Sequence, residues 1–298
     1  MLRVIVSPAK KMLAGVESPM PLAVPALLGR SRELLDVLLA MDAGELQALW
    51  KVSDRLLGPC LDTLRELGEE GLPGEGAMSS PAAAGGSAPP LAEAGTPAFP
   101  LASPAVLAYV GIQYQSMAPA VMDASSLAWL ADHLRIISGL YGCLRPFDAV
   151  VPYRLEMGAR MPAGLRWPGE ARDLYAFWGA AIAREVCSAG ERGEAGSRPA
   201  ADTHVVNLAS VEYAKAVLPR LTPETQVTTC IFAEELRRGK PVQHSTASKA
   251  ARGSMVRWMA ERGVTDADEL HSFDVGYHLV PELCREEGAS RTLVFLRV

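Results

Sequence analysis

The chain lacks the marks of several large protein classes. Its 298 residues contain no C-x-x-C pair, and the five cysteines, Cys60, Cys143, Cys187, Cys230 and Cys284, are scattered. Such spacing argues against a disulfide framework or a cysteine zinc site and fits reduced thiols. No uninterrupted apolar run reaches the roughly 18 residues of a membrane-spanning helix. The opening apolar run, Leu2 to Val6, is short and gives way at once to Ser7-Pro8-Ala9-Lys10-Lys11. With no signal-peptide core, the expected location is the cytoplasm.

The common chemical signatures are missing as well. There is no G-x-x-x-x-G-K-[ST] phosphate loop, no G-x-G-x-x-G after a strand, no H-E-x-x-H and no G-x-S-x-G elbow. The five histidines, His133, His204, His244, His271 and His278, never fall four apart on one helix. Neither a metal nor a cofactor is therefore expected.

Positive charge is not in excess either. Lys and Arg total 29 against 34 Asp and Glu, a formal net charge of -5. That balance excludes a strongly basic coat for nucleic acid or anionic lipid but leaves room for a local basic groove. Only six of the basic residues are Lys.

What is present is an ordinary globular composition, 49% hydrophobic and 21% charged, able to bury a sizeable core. From Gly71 to Pro104, 26 of 34 residues are Ala, Gly, Pro or Ser, without apolar periodicity. Such a stretch cannot bury enough surface to offset its ordering entropy and reads as a mobile insertion. A smaller segment, 188–202, has the same composition and reads as a flexible loop. Because long insertions cost little loop-closure entropy, the expectation is one domain over 1–298.

Leu2–Val6 predicts a buried strand. Asp42 followed by Glu45 predicts a capping box opening one long helix to Leu67. Val106–Val110, Val205–Leu208, Val227–Phe232 and Thr292–Val298 read as strands, and Ser125–Ile137, Leu174–Val186 and Lys249–Glu261 as helices. Their irregular alternation predicts a mixed α/β fold, α+β-like, with helices around a mixed sheet.

Three segments carry candidate chemistry. In Leu134–Gly158 the run Ser138-Gly139-Leu140-Tyr141-Gly142 between two helical stretches fits a helix-hairpin-helix, whose free backbone N–H groups meet phosphate without reading bases. Arg135, Arg145 and Arg154 flank it. The alternative is a packed corner with Arg145 and Arg154 paired to Asp148 and Glu156. Arg237–Arg262 holds seven basic residues and one acidic residue, whereas Gly263–Val298 holds seven acidic and three basic. Lys249, Arg252 and Arg257 lie within this basic stretch, which is otherwise a solvated face balanced by the acidic tail. Arg252 and Arg257 stand about 140° apart on a helix, so one flat contact cannot use both. Lys10 sits at the end of the first strand, where α/β proteins often place ligands; alternatively it is a charged turn.

Together these segments resemble the YaaA family of peroxide-stress proteins. The resemblance lies in SPAK at Ser7–Lys10, SGLYGCLRPFD at Ser138–Asp148, PYRLEMG at Pro152–Gly158, LYAFWG at Leu174–Gly179, NLASVEYAKAV at Asn207–Val217, KAARGSM at Lys249–Met255 and VFLR at Val294–Arg297. It implies a compact mixed α/β domain with a helix-hairpin-helix and a positive cleft that binds duplex DNA without sequence preference. It also implies a role in limiting iron-dependent damage under peroxide. By position, the DNA-contacting set is Lys10, Ser138, Gly139, Tyr141, Gly142, Arg145, Arg154, Lys249 and Arg252, to which Arg135 and Arg257 are added from the charge pattern. One motif departs from the family. Its usual G-D-V-Y-x-G-L reads Gly111-Ile112-Gln113-Tyr114-Gln115-Ser116-Met117 here, so a carboxylate has become Ile112 and a glycine Ser116.

The competing expectation is an enzyme acting on a nucleotide or base-like small molecule, with Glu156 and Tyr114 as candidate catalytic groups. A deep pocket joining Lys10, Tyr114, Arg154, Glu156 and Lys249, with a strongly shifted carboxylate, would favour it; a shallow open groove would favour DNA.

Overall fold

A computed structural model of the chain describes residues 1–74, 100–188 and 203–298. The composition-biased stretches at 75–99 and 189–202 lie outside the described residues. At the two edges of the expected insertion at 71–104, Leu72 and Ser103 are fully buried.

The strands, in chain order, are β1 Leu2–Val6, β2 Lys11–Met12, β3 Ser103–Pro104, β4 Tyr109–Val110, β5 Leu134–Ser138, β6 Gly142–Leu144, β7 Ala149–Val150, β8 His204–Asn207, β9 Gln226–Ala233, β10 Glu235–Arg237, β11 Lys240–Val242, β12 Tyr277–Leu279, β13 Arg285–Glu287 and β14 Ser290–Arg297. The helices are α1 Leu28–Ala40, α2 Ala43–Trp50, α3 Asp54–Glu70, α4 Ala105–Ala108, α5 Ile112–Met117, α6 Ala124–His133, α7 Leu174–Trp178, α8 Ala181–Val186, α9 Val211–Ala214 and α10 Ser245–Arg262.

The main sheet is eight-stranded and mixed, in the order β12-β14-β9-β8-β1-β5-β6, with β13 added to β14. Strands β14, β9, β8, β1 and β5 run parallel, and β6, β12 and β13 are antiparallel to their neighbours. Every residue of β1 is buried. That fits a central parallel strand covered on both faces; its one charged residue, Arg3, is buried with its guanidinium donating to the carbonyls of Asp132 and Ser188. From β1 the chain first adds β5 on one side and later β8 on the other. The gap beyond β1 and β8 is thus the sheet's switch point, where the connections leave in opposite directions and a crevice opens.

Three expected elements are divided differently. The capping box is present: Asp42 Oδ1 accepts from Glu45 N, and Asp42 N donates to Glu45 Oε2, both at 2.8 Å. Yet the helix it opens ends at Trp50, because Lys51 takes the left-handed conformation at φ 51° and α3 starts afresh after Ser53. Leu174–Val186 is likewise two short helices, divided at Gly179 with φ 52°. Val106–Val110 is mostly the helical turn α4, with only Tyr109 and Val110 extended.

The largest correction concerns Ser125–Ile137 and the glycine turn. Helix α6 stops at His133, and Leu134–Ser138 is strand β5, paired parallel to β1 and antiparallel to β6. The glycine run therefore closes a β-hairpin, not a helix-hairpin-helix, and the chain from Arg145 to Gly158 is largely irregular. Leu127, Leu130, Leu134 and Ile137 recur at a spacing that suits a helix. Between two partner strands, however, β-branched side chains pack better extended.

Candidate functional site

At the switch point a cleft of about 580 Å³ opens beyond the ends of β1 and β8. The segment after β1 supplies Ser7, Lys10 and Lys11; the segment after β8 supplies Ser210, Glu212 and Tyr213. Helix α5 contributes Ile112 and Tyr114, the irregular stretch after β7 contributes Tyr153, Arg154 and Glu156, and α10 contributes Ser245, Lys249 and Arg252. One cavity thus joins Lys10, Tyr114, Arg154, Glu156 and Lys249, residues spread across most of the chain.

The floor is tied together by short polar contacts. Ser7 Oγ accepts from Ser210 N at 2.8 Å, and Tyr114 OH donates to the Ser7 carbonyl at 3.0 Å. Tyr153 OH lies 2.7 Å from Ser138 Oγ and 2.9 Å from Tyr109 OH. Burial pushes the Tyr153 phenol up to about 12 and holds Tyr109 and Tyr114 well above their ordinary value. These phenols stay neutral near pH 7, so Tyr114 is a hydrogen-bond donor here and not a base.

Five cations, Lys10, Lys11, Arg154, Lys249 and Arg252, line the cleft against two carboxylates, Glu156 and Glu212. Glu156 Oε1 sits 2.7 Å from Lys10 Nζ and 4.0 Å from Arg154. Glu212 accepts the Gly158 N–H at 2.7 Å. Arg252, by contrast, is half-buried with its Nε unsatisfied among the described residues, and burial lowers its pKa, opposed by Cys230. Its position depends on close helix packing. Gly253 lies so near α5 that a Cβ there would stand 2.0 Å from the Gln113 carbonyl oxygen. Ser245 places the first turn of α10 at the cleft, and the residue before it, His244, makes no side-chain cap bond to that turn. A helix N-terminus beside Lys249 and Arg252 favours an anion, with phosphate as the fitting geometry.

The expected site residues divide. Lys10, Tyr114, Arg154, Glu156, Lys249 and Arg252 meet in the cleft. The hairpin set does not reach the surface. Ser138 and Tyr141 are fully buried, and Arg135 is buried with its guanidinium donating to the carbonyls of Ala131, Asp132 and Leu134. Gly139 packs so closely that a Cβ would lie 2.3 Å from the Leu155 oxygen, and Gly142 is covered by Trp178 and Leu27. These glycines serve packing, not phosphate. Arg145 pairs with Glu185 at 3.3 Å while its backbone N–H donates to Asp148. Arg257 pairs with Glu261 on a different face of α10 from Arg252, in line with their angular separation. The strongly shifted carboxylate is Asp148, raised to about 7 by burial, and it lies outside the cleft lining.

The family model of peroxide stress protein YaaA matches residues 2–283. The chain belongs to that family. A UPF0246 protein of Pediococcus pentosaceus is 37% identical over 273 residues, covering 92% of this chain and 90% of that protein. A UPF0246 protein of Ligilactobacillus salivarius is 33% identical over 298 residues, covering 99% of this chain and all of the relative. One of Agathobacter rectalis is 32% identical over 277 residues, covering 93% and 92%. The segments SPAK and NLASVEYAKAV, on which the resemblance rests, contain Ser7 and Ser210, whose contact joins the chain leaving β1 and β8. Ile112 puts an exposed apolar side chain on the cleft wall.

Sequence reasoning alone misses Glu212, Tyr213 and Ser245. The rule that singles out Lys10, a polar residue just past a buried strand, applies equally to Ser210 and Glu212 after β8, and would find them.

Proposed function

We propose that this chain is a cytoplasmic peroxide-stress protein whose cleft holds a phosphate-bearing nucleotide, carried by DNA or free. The observation that carries this reading is the gathering of Lys10, Arg154, Lys249 and Arg252 with Glu156 at the switch point of a parallel sheet. A cavity of about 580 Å³ falls in the size range of small-molecule sites, roughly 300–1,000 Å³. Phosphate rests on α10 between Ser245, Lys249 and Arg252, and any acid–base step falls to Glu156 beside Lys10. Limiting iron-dependent oxidative damage is the cellular role in this reading and rests on family membership alone.

A second reading, duplex DNA gripped only by its backbone, draws on Lys10, Lys11 and Lys249, which stay exposed at the cleft mouth. A duplex is too wide to enter the cleft, so its phosphates would meet only these three. Titrating a mononucleotide, a single-stranded oligomer and a duplex against salt separates the two. The cleft reading expects the mononucleotide and single strand to bind and Lys249→Ala/Arg252→Ala to abolish both. For the single strand, affinity should fall with a log–log slope of about -0.7 per neutralised phosphate. Duplex binding without mononucleotide binding would transfer the conclusion to the second reading. No binding at low salt by any of the three would sink both.

A further inference from the structure

Beyond the Lys10–Glu156 ion pair the cleft continues into a side chamber of about 220 Å³. The two cavities share Lys10, Arg154, Glu156 and Glu212, so the 2.7 Å pair stands at their boundary. The chamber differs in chemistry from the phosphate end. One wall is apolar, formed by Leu49 and Trp50 at the end of α2 and by Ala159. Trp50 is 5% exposed, and its indole N–H has no acceptor among the described residues.

The left-handed Lys51 that ends α2 makes this wall possible. Lys51 follows Trp50 directly, so α2 ends where both residues line the chamber. The polar edge is formed by Glu156 and Glu212, which accept hydrogen bonds but donate none when ionised. Glu156 already holds Lys10 and Glu212 Oε1 the Gly158 N–H, so a ligand N–H would add to Glu212 or take the place of Lys10 at Glu156. A cationic amine is disfavoured, because Lys10, Lys51 and Arg154 outnumber the two carboxylates. What remains is an uncharged, flat, partly apolar group with N–H donors on its edge.

We propose that the side chamber is a base subsite: it takes an amino-bearing nucleobase, guanine being the best-matched probe, whose phosphate sits on α10 in the main cleft. The inference rests on the nucleotide reading above and names the part of the ligand that gives it specificity. Ligand entry displaces the Lys10–Glu156 pair, freeing Lys10 for the phosphate side and Glu156 for the base edge.

Calorimetric titration with guanosine 5′-monophosphate, ribose 5-phosphate and inorganic phosphate tests it. The nucleotide should bind about tenfold or more tighter than ribose 5-phosphate, the scale of one aromatic–base contact. Trp50→Phe, which keeps the core filled, should reduce that ratio. Ala159→Leu, which fills the chamber, should erase it, with ribose 5-phosphate affinity unchanged in both variants; thermal melts confirm that each is folded. Equal binding of nucleotide and ribose 5-phosphate, or a ratio untouched by Ala159→Leu, overturns the base subsite while leaving the phosphate cleft standing. Failure of all three probes overturns the cleft reading itself. A thymidine hexamer with one central dG, competing at least about tenfold better than the mononucleotide, assigns the base to DNA. Weaker competition assigns it to a free nucleotide.

Discussion

Ser7 and Ser210, 203 residues apart in the chain, are joined twice: Ser7 Oγ accepts the Ser210 N–H at 2.8 Å, and the two hydroxyls lie 3.2 Å apart. The contact pins the segments leaving β1 and β8 to each other and fixes the floor on which Lys10 and Glu212 stand. Ser7→Ala leaves the Ser210 N–H without its acceptor. We expect a loss of about 1 kcal/mol in urea unfolding, together with weaker nucleotide binding. Unchanged stability and binding would show that the strand pairing alone holds the floor.

Gly253 is where α10 touches α5. Replacing it by Ala drives a methyl into the Gln113 carbonyl, 2.0 Å away, with Met117 N at 3.0 Å. Backbone cannot yield as a flexible side chain does, so the helices must part. A destabilisation of about 2 kcal/mol or more is expected, with Arg252 carried out of the cleft and ligand affinity lost. Gly29 in α1 is the control, since it is exposed and nothing lies within 4 Å of a Cβ there. Gly29→Ala should be neutral or stabilise by up to about 1 kcal/mol.

Asp148 gives the protein a pH dependence opposite to that of most carboxylates. Burial raises it from 3.8 to about 7, opposed by the Arg145 backbone N–H and by the charges of Arg145 and Arg135. The folded state therefore holds the proton more tightly than the unfolded chain. This contribution to stability is complete below pH 3.8 and is lost as pH rises through about 7. Asp148→Asn keeps an acceptor for the Arg145 N–H and removes the titration. Between pH 5 and pH 8 the wild type should lose stability relative to the variant, by an amount on the order of a few kcal/mol. His133 and His204, whose pKa values burial lowers, act in the reverse direction but are common to both proteins. Parallel stability profiles would refute the assignment.

The thiols should respond to their surroundings rather than to the family's connection with peroxide. Cys143, Cys187 and Cys230 are buried, and burial pushes each thiol up, Cys230 to about 12. Cys60 and Cys284 are half-buried. Maleimide labelling of the folded protein, read by mass spectrometry, should modify Cys60 and Cys284 first and leave the buried three protected until unfolding. Early labelling of Cys143 or Cys230 would contradict this.

Much of this was legible along the chain. Strand β1 matches its apolar run, the Asp42–Glu45 box caps α2 as its residues require, and α10 ends at Gly263 in the left-handed conformation. Lys10, Lys249 and Arg252 were legible as candidates because charge and strand ends mark them without knowledge of the fold. Ser138–Gly142 was not. Glycine turns join helices and strands alike, and only the pairing of Leu134–Ser138 between β1 and β6 decides which.

The sequence by itself determined the local features: where apolar runs begin and stop, which turns need glycine, how basic and acidic residues separate, and which family motifs stand in order. Tertiary structure alone decided that Arg135 and the glycine hairpin are buried while Arg252 lines a cleft. It also set Trp50 beside Glu156 and Glu212 in one chamber. The physical reason is range. Propensity and capping act over a few residues, whereas burial, charge pairing and cavity shape depend on distant segments, such as Ser7 and Ser210, 203 residues apart, that meet only when the sheet is assembled.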